Sequence, residues 1–192
     1  MRTRAGMAVL AAVASVGMLT APSATAAEQA PRVSGTGPHC VAQLETNKTT
    51  CYKTFRESVA AATGGRVTDA TQEKAARTPN FVDQLNKQAS TRTSRTTANT
   101  SLVAIMYEDP YYSGASSISV APGPCTSNGS WDWEWRSIAT GWNDRVSSFK
   151  LYSDCHLNAF EHFDFGGASQ YFGTDTSSLG LLDNQISSYR LH

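Results

Sequence analysis

Two short runs in this chain carry oxygen donors at matched spacing: Asn143-Asp144-Arg145-Val146-Ser147-Ser148 and Asp183-Asn184-Gln185-Ile186-Ser187-Ser188. In each, a pair of Asn/Asp side chains can initiate a turn. The serines that follow bring hydroxyl oxygens beside the carboxylate and amide oxygens. Such a set suits a hard cation better than it suits bond-breaking chemistry. The other chemistry-bearing residues are sparse. Of the four histidines, His39, His156, His162 and His192, His162 could share one side of a hairpin with Asp164. A metal or acid–base centre there lacks a third partner. The chain contains no H-E-x-x-H, G-x-S-x-G, G-x-G-x-x-G or phosphate-binding glycine loop, so a non-enzymatic role is expected. Its surface carboxylates fit a cation shell and solvation better than a glycosidase pair.

The elements that must position the two runs are themselves repeated. Tyr107-Glu108-Asp109-Pro110-Tyr111-Tyr112-Ser113-Gly114 is echoed by Phe160-Glu161-His162-Phe163-Asp164-Phe165-Gly166-Gly167, both reading aromatic-Glu-x-x-x-aromatic-x-Gly. Two aromatics five apart can fold toward each other across a tight hairpin, and the glycine admits positive φ there. Each hairpin motif precedes one oxygen-rich run, so the same order of elements occurs twice. Val146, Phe149 and Leu151, like Ile186, Tyr189 and Leu191, then enter a core as a strand. Strands are expected at Leu102–Tyr107, Ser116–Val120, Trp131–Trp135, Val146–Tyr152, Ser169–Phe172 and Ile186–Leu191, separated by Gly, Pro, Asn and Asp clusters. Fifteen of the 18 Phe, Tyr and Trp residues follow residue 101. The compact domain is therefore placed in the last ~90 residues, a size that folds alone with help from a disulfide.

The doubled hairpin and the doubled N/D-N/D-x-x-S-S run together resemble the βγ-crystallin superfamily over roughly residues 102 to 192. That resemblance implies an all-β sandwich of two Greek keys in which the two runs cross over as calcium clamps. Carried across by position, one calcium takes the carbonyl of Arg145, the hydroxyl of Ser147 and the side chain of Asn184. The other takes the carbonyl of Gln185, the hydroxyl of Ser187 and the side chain of Asp144. The carbonyl of Glu108 or Glu161, with water, completes each shell. Asn184 brings no charge where Asp144 does, so the Asp144 site is expected to be the tighter. The first key departs from the pattern: Gly114 to Asn143 spans 29 positions, whereas Gly167 to Asp183 spans 16.

The rest of the chain sets the context. Arg2 and Arg4, the apolar run Met7–Leu19 and Ala24-Thr25-Ala26 read as a signal peptide over residues 1–27, which implies secretion. No later segment is apolar enough to cross a bilayer. An oxidising compartment favours pairing of the four cysteines. Three connectivities are open, of which Cys40–Cys51 with Cys125–Cys155 is the economical one. Residues 28–89 read as a small helical accessory segment. A capping box at Thr54–Glu57 opens a helix that carries Phe55, Val59 and Ala62, and a second helix can begin at Thr78-Pro79. Residues 90–101 are a Ser/Thr/Arg-rich linker.

Lys and Arg outnumber Asp and Glu ten to six over 28–100, while acids outnumber bases ten to four over 101–192. An acidic compact half suits calcium and argues against nucleic acid. A monomer that binds neither membrane nor nucleic acid is expected. The resemblance extends to secreted bacterial metalloprotease inhibitors sharing the fold. An extracellular protease is therefore an alternative partner, met by the loop Pro122-Gly123-Pro124-Cys125-Thr126. A further alternative is a toxin-like or carbohydrate-binding module, with Trp131, Trp133 and Trp135 as a stacking platform.

Overall fold

Leu102 to Tyr107 is an unbroken run of apolar residues, and the strand it forms is buried on both faces. A computed structural model describes residues 32–35, 37–78, 81, 100–126, 128–139 and 141–192. The expected signal peptide lies outside these residues. So does nearly all of the expected linker, whose last residue, Ser101, already opens a strand. Strands β1 (Arg32–Gly35), β2 (His39–Gln43), β3 (Lys48–Tyr52), β4 (Ser101–Asp109), β5 (Ser113–Ala121) and β7 (Ser148–Leu151) form one sheet, in the order β1-β3-β2-β5-β4-β7. Strands β6 (Trp133–Trp135), β8 (Leu157–Phe160), β9 (Ser169–Phe172) and β10 (Ser188–Leu191) form the second, in the order β6-β10-β8-β9.

The order records two interlocked Greek keys. The first key runs β4, β5, β6, β7, yet its third strand pairs with β10 of the second key, Trp135 opposite Tyr189. The second key returns the loan: Thr176, between β9 and β10, makes a bridge to Phe149 of β7. Each sheet thus contains a contribution from the other key. Between the sheets, Phe149 and Phe172 meet edge to face at 5.0 Å, within a buried cluster that includes Val103, Met106, Trp142, Val146, Leu157, Ile186 and Leu191.

All six expected strands are present, with shifted ends. Val146 and Ile186 lie outside the strands, and β7 and β10 both begin at the second serine of their run. Strand β8, rooted in the short Leu157-Asn158-Ala159-Phe160, has no β-branched residue to announce it. Its partners on either side, β9 and β10, make it a strand.

Residues 28–89, expected to be a small helical segment, carry strands as well as helices. The helix at the capping box is there: α1 (Phe55–Ala62) begins with the Glu57 N–H donating to Thr54 Oγ1 (3.2 Å) and the Thr54 N–H donating to Glu57 Oε2 (3.0 Å). A second helix, α2 (Gln72–Arg77), starts at the Thr71 cap, and Thr78, expected as a helix start, closes it. Phe81 is helical, while Pro79, Asn80 and residues 82–99 lie outside the described part. Ahead of the helices, however, the chain is β. The β2–β3 hairpin turns through Asn47 at φ 51° and sets Cys40 directly opposite Cys51, to which it is bonded. Strand β2 then pairs in parallel with β5, Val41 opposite Ile118. That pairing is far from local in sequence, so no local pattern displays it.

The helices cover the outer face of the six-stranded sheet. Phe55, Val59, Ala62 and Ala75 share one buried cluster with Leu102, Ile105, Tyr107, Ile118 and Val120. This is why Leu102–Tyr107 lacks polar/apolar alternation: a strand covered on both sides reads as a continuous apolar run. The Cys125–Cys155 bond is also formed, and none of the four cysteines is free.

Candidate functional site

Both folded hairpins adopt the same backbone. Tyr111, Tyr112 and Gly114 take positive φ (58°, 63°, 76°), and so do Asp164, Phe165 and Gly167 (52°, 64°, 74°). A left-handed conformation is unfavourable for residues as bulky as tyrosine and phenylalanine. The second serine of each oxygen-rich run holds it in place. Ser148 Oγ donates to the Asp109 carbonyl (2.7 Å) and accepts the Tyr112 N–H (3.0 Å). Ser188 Oγ donates to the His162 carbonyl (2.6 Å) and accepts the Phe165 N–H (3.0 Å). The folded aromatics then meet edge on, Tyr107 with Tyr112 at 5.9 Å and Phe160 with Phe165 at 5.4 Å.

The first half of each run reaches across to the other. The Asp144 N–H donates to the Ile186 carbonyl (3.2 Å), and the Asn184 N–H to the Val146 carbonyl (3.0 Å). Both residues are left-handed, Asp144 at φ 57° and Asn184 at φ 54°, which aims their side chains at the opposite run. Ser187 Oγ donates to Asp144 Oδ1 at 3.1 Å, and Ser147 Oγ donates to Asn184 Oδ1 at 3.4 Å. The Ser147 N–H is fixed by the Tyr107 carbonyl (2.9 Å) and the Ser187 N–H by the Phe160 carbonyl (3.0 Å). Every one of these contacts has its mate in the other run, so the pair is close to two-fold symmetric. The leading residues repeat one more feature: Asn143 Oδ1 and Asp183 Oδ1 are both buried without a hydrogen-bond partner.

The side chains around this frame are not symmetric. Asp144, Glu161, Gln185 and Ser187 line one open cavity, together with Asn143, His162, Phe163 and Asn184. On the other side Ser147 faces Asn184, but the side chains of Glu108 and Arg145 are joined to each other. Arg145 donates from Nε (3.1 Å) and Nη2 (2.5 Å) to Glu108 Oε1. The arginine was expected to offer only its carbonyl. Its charge was visible in the sequence, but its partner was not, because Glu108 is 37 residues away. Among the described residues no group of three or more His, Cys, Asp or Glu can hold a metal ion. A cation held here depends on hydroxyl, amide and main-chain oxygens beside the Asp144 carboxylate. Asp144, exposed, and Ser187, buried, bring two oxygens close together where the cavity opens.

The remaining candidates separate. Trp135 is buried, and Trp133 packs half-buried against the inter-sheet core. Only Trp131 of the three tryptophans is substantially exposed (42%), so they form no continuous stacking face. Asp164 sits 3.7 Å from Arg136, which leaves His162 without the carboxylate that would make an acid–base pair. The loop before Cys125 is pinned on several sides. The Cys125 N–H donates to the Ser153 carbonyl (3.0 Å), and Thr126 donates from N (2.8 Å) and Oγ1 (2.7 Å) to the Asp132 carboxylate. Tyr107 and Tyr189 are phenols raised well above their ordinary pKa by burial, with Asp175 adding to the effect at Tyr107.

Among the described residues no helix is long and apolar enough to cross a membrane. No family model matches the chain. No curated protein matches it either. Solved structures do: a βγ-crystallin domain from Flavobacterium johnsoniae is 24% identical, over 47% of this chain and 93% of that one, with a TM-score of 0.35. A βγ-crystallin from an archaeon is 27% identical, over 47% and 98%, with a TM-score of 0.36. A βγ-crystallin domain from Clostridium beijerinckii is 22% identical, over 47% and 97%, with a TM-score of 0.38.

Proposed function

We propose, from the βγ-crystallin-type double Greek key of residues 101–192, that this is a secreted, non-enzymatic calcium-binding module whose fold is stabilised by the ion. The reading rests on one observation: the two runs cross so that Asp144 and Ser187, from different keys, bring their oxygens to 3.1 Å. Asp144 would supply a carboxylate oxygen, Ser187 its hydroxyl, and Gln185 and Glu161 their main-chain carbonyls. Calcium bound there would tie the two keys together with oxygen ligands of the kind it prefers. The chain's own part is to hold those oxygens in place before the ion arrives. The left-handed backbone of Asp144 and the Phe160 carbonyl bond to Ser187 do so. The acidic balance of residues 101–192 adds a favourable field.

A ligand that binds only the folded state stabilises it by ~2.7 kcal/mol when present at a hundred times its Kd. Thermal unfolding with calcium and with chelator should therefore differ by several degrees, and Asp144→Ala should remove the difference. Equal midpoints in both conditions would defeat the proposal.

One observation favours a second reading, a protease inhibitor. Pro122–Thr126 is held by a disulfide and by bonds from Ser153 and Asp132 to either side, with Pro124 and Thr126 exposed. A loop fixed in this way loses little freedom on entering a protease cleft. Stoichiometric loss of an extracellular metalloprotease's activity, relieved by cutting this loop, would support it.

A further inference from the structure

The two clamps are alike in backbone and unlike in charge, and the difference centres on one residue. Where the second run has Gln185, the first has Arg145. Its guanidinium is held on three sides: by Glu108 Oε1, by a bond from Nη1 to the Gly141 carbonyl, and by the Trp142 ring, whose centre is 5.4 Å from Cζ. Glu108 and Arg145 are also the two residues whose main-chain carbonyls the Ser147–Asn184 clamp would offer to a cation. Their side chains join beside it. At the matching position Glu161 turns its carboxylate to its own hairpin, accepting the Ala168 N–H at 3.0 Å, and Gln185 brings no charge.

We infer that, on the calcium reading above, the chain takes one calcium ion and not two. The Asp144–Ser187 clamp binds it. At the Ser147–Asn184 clamp, Arg145 supplies the positive charge that the ion would bring. Three facts converge on this. A guanidinium does not lose its proton in a protein, so its repulsion of a divalent ion is permanent. The carboxylate of Glu108, whose carbonyl this clamp would use, is already paired with it. The remaining side-chain ligand, Asn184, is an uncharged amide, and calcium affinity follows the number of charged ligands. The Asp109 carboxylate, next along the chain, lies against Gly114 in the hairpin. Charge differences of this size are worth roughly ten- to a hundredfold in affinity at the effective dielectric of a protein surface.

Calorimetric titration of calcium chloride into the oxidised, metal-stripped full chain tests this. One equivalent is expected, with any second at least ~10-fold weaker. Arg145→Gln should gain a second equivalent, whereas Arg145→Lys, which keeps the charge, should stay at one. Two equivalents of similar affinity in the parent, or Arg145→Gln remaining at one, would overturn the inference while leaving the calcium reading intact. No heat and no thermal stabilisation in the parent would overturn the calcium reading itself. The parent's stoichiometry needs no variant, so the test stands even if a substitution unfolds the chain.

Discussion

The two sheets are built on the same repeated hairpin, yet one is wrapped and the other is bare. In the six-stranded sheet β4 and β5 are buried along most of their length, because α1 and α2 pack on the face turned away from the second sheet. In the four-stranded sheet β9 buries only Phe172, and Tyr171 is 52% exposed. A Greek-key sheet needs one covered face to be stable. The second covered face of the first sheet comes from a different part of the chain, and the apolar composition of β4 and β5 suits it. Wrapping, then, is a property of the whole molecule and not of the repeat.

The strongest way to break that comparison is to remove the wrapping. A chain beginning at Ser101 would expose Leu102, Ile105, Tyr107, Ile118 and Val120, all now at 5% exposure or less. It should lose most of its stability or aggregate, as read by denaturant unfolding and light scattering, since an apolar patch of that size seeks a partner. Parent-like stability would show the wrapping to be dispensable.

A second experiment asks how alike the repeats are beneath the wrapping. Ser148 and Ser188 are fully buried and each holds two main-chain groups of a folded hairpin. Ser148→Ala and Ser188→Ala should each cost ~2 kcal/mol in denaturant unfolding, because buried backbone groups lose their partner. Costs differing by more than about 1 kcal/mol would mean that the sheets, and not the hairpins, set the local stability.

The smallest effect sharpens the comparison at a single atom. Tyr107 and Phe160 are equivalent, but the buried Tyr107 hydroxyl has no hydrogen-bond partner. Tyr107→Phe should be neutral or stabilising by up to ~1 kcal/mol, the opposite of the usual loss on truncating a core residue. A clear destabilisation would show that the hydroxyl has a partner in solution, for instance a water.

What could be read in advance follows the range of the interactions. The two clamps and two hairpins were legible because each is a local pattern, and their repetition made chance unattractive. The crossing of the clamps came from the resemblance to a family and not from spacing. The β2–β3 hairpin was hidden because its place in the sheet depends on a distant pairing with β5, Val41 opposite Ile118. A clue was nonetheless present: six apolar residues in succession at Leu102–Tyr107 require cover on both faces, and the last ~90 residues had nothing left to provide it. The fate of Arg145 was out of reach for the same reason as β2, since its partner Glu108 is distant in sequence.

The exchange of strands between the keys has a consequence for how the molecule can come apart. Trp133–Trp135 of the first key completes the edge of the second sheet, and Thr176 of the second closes the edge of the first. Opening either key strips a hydrogen-bonded edge from the other, so the two halves share one fate and a partly opened form has little to stabilise it. Where proteases sample whatever opens, such all-or-none behaviour leaves few intermediate states to be cut.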